Sequence, residues 1–238
     1  MKRSLPFLII VLVLAAAVAL AYFLFRKSGS ANETNTSLTG PNQNSQTASS
    51  SSNSGSLITN PSAVTKPNVK VSSPVLIEEY GDYQCPPCGR LYPELKKIEG
   101  EYGTQIHFVF HHFPLSKVHK NAMAAAYAAE AARLQNKFWD MHDRLYRNQS
   151  LWAEASDPRP IFITFAQQLG MNVDQFQSDM ESNRVEQIIS ADMQRALSRG
   201  INGTPTLIID GQQLTAEATT PEGIRRGINM MLERKAIS

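Results

Sequence analysis

Pro74-Val75-Leu76-Ile77-Glu78-Glu79-Tyr80-Gly81-Asp82-Tyr83-Gln84-Cys85-Pro86-Pro87-Cys88-Gly89-Arg90-Leu91-Tyr92-Pro93-Glu94-Leu95-Lys96-Lys97-Ile98 holds the only two cysteines of the chain. Its first part, through Tyr80, reads as a strand, and the part after Cys88 reads as an amphipathic helix. Two thiols therefore sit where a strand hands over to a helix N-terminus. Unpaired backbone N–H groups and the helix dipole favour negative charge there. A thiol so placed ionises easily, and the thiolate is the reactive form. A second thiol three residues on can close a disulfide with it. Two plainer readings compete with this one. The thiols could lie close by chance, or they could hold a metal. Structural zinc needs four ligands, and the chain offers no second cysteine pair and no Cys/His cluster.

Outward from this stretch the pattern continues. Residues 105–113 alternate as a β-rich run ended by Pro114. His119 to Gln135 is dense in alanine, and Lys137 to Arg147 repeats apolar residues at helical spacing. Pro158 and Pro160 open a further helix through Leu169, and Asp174 starts a short one. Arg184 to Arg199 reads as another, stopped by Gly200. Thr206–Asp210 and Gln212–Thr215 read as strands around Gly211, and Pro221 to Arg234 as a terminal helix. The order β-α-β, helical block, β-β-α predicts an α/β sheet carrying a helical insertion at about 116–200.

Residues 1–67 differ from the rest. Leu5 to Phe25 is an unbroken apolar run. As a helix it spans about 31 Å, close to the thickness of a bilayer's hydrocarbon core. Ala19-Leu20-Ala21 offers a cleavage site of the signal-peptide kind. The run continues through Tyr22, Phe23, Leu24 and Phe25, which favours an uncleaved transmembrane anchor over residues 1–27. Residues 28–67 are rich in Ser, Asn, Thr and Gln and read as a disordered tether. Residues 68–238 are then one domain by size. Charged pairs, Lys2-Arg3 and Arg26-Lys27, flank both ends of the apolar run and orient it only weakly. A domain tethered near a membrane fits an extracytoplasmic location. The net charge is +2, with no basic run, so nothing calls for nucleic acid as a partner.

Several of these segments together resemble the DsbA-like branch of the thioredoxin superfamily. They are Ile77 to Cys88, Phe110-His111-His112-Phe113-Pro114-Leu115, Asn121 to His142, and Gly203-Thr204-Pro205-Thr206 before a late strand. The resemblance implies a thioredoxin fold with an inserted helical subdomain. It implies that Cys85 is the exposed nucleophile and Cys88 the more buried resolving cysteine. Pro205 becomes a cis proline beside the pair, with Thr204 before it, where substrate backbone binds. Glu79 becomes a buried acid beneath the cysteines, able to move a proton to or from Cys88. By strand alternation Glu78 is its rival for that place. Pro86 and Pro87 tune the redox poise and remove two N–H donors near the sulfur, so a milder oxidant than the extreme members is expected. No cofactor beyond the redox-active Cys85–Cys88 pair and no metal is implied. The partners implied are reduced or unfolded exported proteins and a membrane redox protein that reoxidises the pair. A disulfide reductase or isomerase with the same site is the nearest alternative, and a copper or zinc carrier a more distant one. His111 and His112 read as packing or hydrogen-bonding residues, His119 as a surface residue, Trp139 and Trp152 as core or rim.

Overall fold

The computed structural model describes Val64–Thr65 and residues 74–237. The expected membrane span and most of the tether lie outside these residues. Among the described residues no helix is long and apolar enough to cross a membrane.

Strand β2, Val75–Gly81, runs parallel to β3, Ile106–His112, with Val75 opposite Ile106 and Glu79 opposite Phe110. On its other side β2 pairs antiparallel with β4, Thr206–Ile209, which pairs with the two-residue β5, Gln212–Gln213. The outer edge of β3 is taken by β1, Val64–Thr65, antiparallel to Val109 and Phe110. The sheet order is β1-β3-β2-β4-β5. The tether was expected to run to Pro67, and β1 corrects that boundary. Two β-branched residues meet a strand edge that offers free ladder groups, and they pair with it. The second late strand is also shorter than the expected Gln212–Thr215, because Thr215 instead caps a 3-10 turn at Ala216–Ala218.

Alternation along β2 separates two apolar layers. Val75 and Ile77 join Leu207 and Ile209 under helix α1, Pro86–Tyr102, and the terminal helix α8, Pro221–Ile237. Tyr80 and Ile208 face the opposite side with Phe113, Ala196 and Ile201. In α1 the buried residues are Cys88, Leu91, Tyr92, Leu95 and Ile98, one stripe at helical spacing. Pro93 lies inside this helix, where it cannot donate to the carbonyl of Gly89.

The insertion holds six helices: α2 (Ala122–Arg133), α3 (Phe138–Arg147), α4 (Gln149–Trp152), α5 (Arg159–Gln168), α6 (Val173–Met180) and α7 (Asn183–Ser198). Helix α2 is the hub, against which α3, α5, α6 and α7 pack. Its buried alanines let neighbouring backbones approach closely. Ser182 caps α7 by accepting from Val185 N–H, and Gly200 ends it at a positive φ of 75°. Helix α7 returns the chain to the back of β3. The one-turn helix α4 was not anticipated, since four residues carry no readable period.

Candidate active site

Cys85 is the N-cap of α1, and Pro86 and Pro87 occupy the first two helical positions. Proline suits those positions, because their N–H groups have no partner within the helix. The first N–H able to turn back to the sulfur is therefore that of Cys88. Both cysteines are in the dithiol form. The Cys85 thiol is brought down from its usual value to about 6. The Cys88 thiol hydrogen-bonded to it is the main cause, joined by the Thr204 side chain and the Cys88 N–H and opposed by burial and the Asp82 charge. The Cys88 thiol moves the other way, well above its usual value, through burial, the Cys85 sulfur and the Glu79 charge. The two prolines thus leave a stabilised thiolate, as one remaining N–H and one thiol suffice.

Cys85 was expected to be exposed. It is 4% exposed against 0% for Cys88, so both residues are largely covered. The cover comes from the loop before β4. Thr204–Pro205 is a cis peptide, and the Cys85 thiol donates to the Thr204 carbonyl at 3.4 Å. The Thr204 hydroxyl is buried with no hydrogen-bond partner. It is free to donate to the sulfur once Cys85 ionises. A groove of about 450 Å³ opens alongside, lined by Pro87, Arg90, Thr204, Pro205, Ala216 and Pro221. Pro86 and Pro87 are both exposed, and of the two Pro87 lines the groove. A cavity of about 490 Å³ lies elsewhere, in the insertion between Tyr127, Ile163 and Met180.

Glu79 is 2% exposed and lies in register with Phe110 and Leu207. Its side chain shares the face of β2 that carries Ile77, beneath the cysteines. Burial first, then the charges of Glu99 and Cys85, pushes its carboxyl up to about 8. It is predominantly a neutral acid at pH 7. Glu78 is buried as well, on the other face, but paired. Its carboxyl meets Arg199 Nη1 at 3.0 Å and His111 Nε2 at 3.2 Å. Burial would raise it, and these partners prevail and hold it below the usual value. Alternation required one buried acid, and the structure buries both in opposite states.

The turn before Cys85 is braced by residues that sequence patterns do not single out. Asp82, fully buried, accepts from Gln84 N–H at 2.8 Å, from Leu115 N–H at 2.9 Å, and contacts His119 Nδ1 at 2.6 Å. Its carbonyl accepts from Cys85 N–H at 3.1 Å. His119 is thus a partner of the active-site turn, which corrects its reading as a surface residue. Gln84 accepts from Asn121 N–H and donates to Ala153 O, both at 2.7 Å. His111 and His112 are hydrogen-bonded packing residues as expected, His111 between Glu78 and Asp192 and His112 against Glu130. Trp152 is buried in the core and Trp139 packs at its rim.

A family model described as thioredoxin matches residues 70–230. A Na(+)/H(+) antiporter NhaA 1 of Salinispora arenicola is 35% identical over 141 residues, 59% of this chain and 21% of that protein. The chain thus spans about a fifth of the length of the curated relatives it matches. A thioredoxin-like oxidoreductase from Silicibacter pomeroyi is similar in structure, with 25% identity, a TM-score of 0.57, and 74% of this chain and 97% of that one covered. The thiol-disulfide exchange protein alpha-DsbA2 from Wolbachia pipientis shares the fold at 22% identity and a TM-score of 0.59, covering 70% of this chain and 86% of that one. The parallel β2–β3 pair, the cysteines at the mouth of α1 and the cis loop before β4 fit these matches. The chain belongs to the thioredoxin family.

Proposed function

We propose that this protein is an extracytoplasmic, membrane-anchored thiol–disulfide oxidoreductase that introduces disulfides into exported proteins. One observation carries the reading. Cys85 is drawn towards its thiolate form while Cys88, three residues on, is held as a thiol. That asymmetry makes Cys85 both the sulfur that substrate attacks and the better leaving group. The anchoring and the location rest on the apolar run and the tether composition of residues 1–67.

In the oxidising direction a substrate thiolate attacks Cys85 Sγ of the Cys85–Cys88 disulfide. The S–S bond breaks and Cys88 leaves, taking its proton from the neutral Glu79 carboxyl. The substrate's second thiolate then attacks the substrate sulfur of the mixed disulfide, and Cys85 departs as a thiolate. Two electrons pass to the enzyme and the substrate gains a disulfide. A membrane redox partner removes the electrons and restores the pair. Substrate backbone fits the groove beside Pro205, lined by Thr204 and Pro87, with the exposed Pro86 next in the chain.

Thiolate stabilisation favours the reduced enzyme and so makes the disulfide more oxidising. A fall from the usual 9 to about 6 is worth no more than about 1.4 kcal/mol at pH 7, or about 30 mV in a two-electron couple. Water at the groove screens part of it. That magnitude supports a mild oxidant. The metal-carrier reading needs further ligands, and among the described residues no group of three His, Cys, Asp or Glu is gathered to supply them. Equilibration with a glutathione redox buffer tests the direction. A potential well above about −270 mV is expected, and one at or below it transfers the site to the reductase reading.

A further inference from the structure

Gly89 is a glycine in the first turns of α1 with no need to be one. Its φ is not positive, and glycine in a helix costs about 1 kcal/mol against alanine. What fills the space beyond its Cα is the amide of Gln149, from α4 of the insertion. A Cβ on Gly89 would stand 2.6 Å from Gln149 Oε1 and 3.0 Å from its Cδ and Nε2. That same Nε2 donates to Tyr83 O at 2.7 Å and to Cys85 O at 3.1 Å. The Cys85 carbonyl also accepts from Gly89 N–H at 3.1 Å. One side chain therefore closes two carbonyls of the active-site turn, those of Tyr83 and Cys85, through a gap that glycine leaves.

We propose that Gln149 is a positioning residue for the nucleophile, held over the Cys85 carbonyl through the gap at Gly89. The proposal rests on thiol–disulfide exchange at Cys85 and adds a residue to it. Two effects of the amide act in one direction. It fixes the backbone of the N-cap residue, so that Sγ stays aimed at the Cys88 N–H. It also offsets the negative end of a carbonyl dipole next to a sulfur that must carry charge. Without it the Cys85 thiolate forms less readily and leaves less readily. The insertion thereby reaches the chemistry through one hydrogen-bonded amide.

Gly89→Ala and Gln149→Met separate this role from a packing role. Gln149 is a flexible side chain, so Gly89→Ala displaces the amide at little steric cost while improving helix propensity. Gly89→Ala is expected to cut the thiolate fraction of Cys85 at pH 6 by about threefold, within the worth of one hydrogen bond, with little change in melting temperature, since the helix propensity gained offsets the bonds lost. Gln149→Met, similar in size but with no donor, is expected to match it. The double variant should add nothing to either single change. Thiolate absorbance at 240 nm against pH reads all three in the full-length reduced protein. It needs no substrate, so it stands even if dithiol oxidation is absent and the functional reading falls. An unchanged Cys85 titration in both single variants, or fully additive shifts, overturns the proposal.

Discussion

On one face of β2 the Glu78 carboxyl is held by Arg199 and His111. On the other, one residue along, the Glu79 carboxyl is aligned with Phe110 and Leu207 beneath the cysteines. The back face keeps its acid ionised by pairing, and the cysteine face keeps its acid protonated by burial. Buried charge survives only with partners. A neutral acid, by contrast, is a proton source. The two faces of a single strand thus differ, one tying β2 and β3 to α7 and the other placing a neutral acid where the proposed mechanism draws its proton.

The comparison breaks most sharply at the sulfur itself. Cys85→Ser should abolish dithiol oxidation, and Cys88→Ala should accumulate a substrate mixed disulfide at Cys85, seen as a mass increase that reductant removes. Recovering the adduct on no variant removes the role assignment. Next, Glu79→Gln should slow exchange about a hundredfold, the usual range for losing a general acid. It should also stabilise the reduced protein as pH rises. The native carboxyl, raised to about 8, contributes stability below its unfolded value of 4.5 and loses it as pH rises through 8. At pH 8 the variant should therefore unfold at higher denaturant, by up to about 4 kcal/mol, and at pH 4 by almost nothing.

The back face should answer in the opposite sense. Glu78→Gln should slow exchange less than about threefold yet cost about 1.5–3 kcal/mol of stability near pH 7. The native Glu78 carboxyl, held low, loses its contribution only as pH falls below 4.5. A larger loss of exchange in Glu78→Gln than in Glu79→Gln would reassign the proton donor. The smallest effect on chemistry belongs to Asp192→Ala. It leaves His111 Nδ1 and His112 N–H without their acceptor and should cost about 3–5 kcal/mol, with the Cys85 titration unmoved. His111, raised by Asp192 and Glu78 against its burial, adds stability below 6.5 and gives it up at higher pH.

Much of this was legible in the residues. The strand, the thiol turn and α1 are local patterns, whereas alternation left Glu78 and Glu79 as rivals and only the family likeness put Glu79 beneath the cysteines. The cis Thr204–Pro205 loop was legible only through a family likeness, because its meaning depends on a sulfur 119 residues away. The brace around the turn was not legible. Asp82–His119, Gln84–Asn121 and Gln149–Cys85 are contacts 37, 37 and 64 residues apart, one between side chains and two from a side chain to backbone, made by polar residues with no period. Gly89 was the one local hint, a helical glycine without a backbone reason. Asp192 lies on, and Arg199 just beyond, a helix that reads as an ordinary amphipathic one, and only the packing of α7 on β3 brings them to His111 and Glu78.

The margins of the sheet have a consequence of their own. β1 is a two-residue margin against Val109 and Phe110 of β3, and β5 ends the other side with two exposed glutamines. Each margin strand is only two residues long, so it offers a visiting chain little ladder of its own to extend. If the chain acts on unfolded exported proteins as proposed, such short margins matter to its clients. A client held through a sulfur at the groove is less able to zip onto the border as an extra strand and seed a fibre, so it departs when its covalent bond is exchanged.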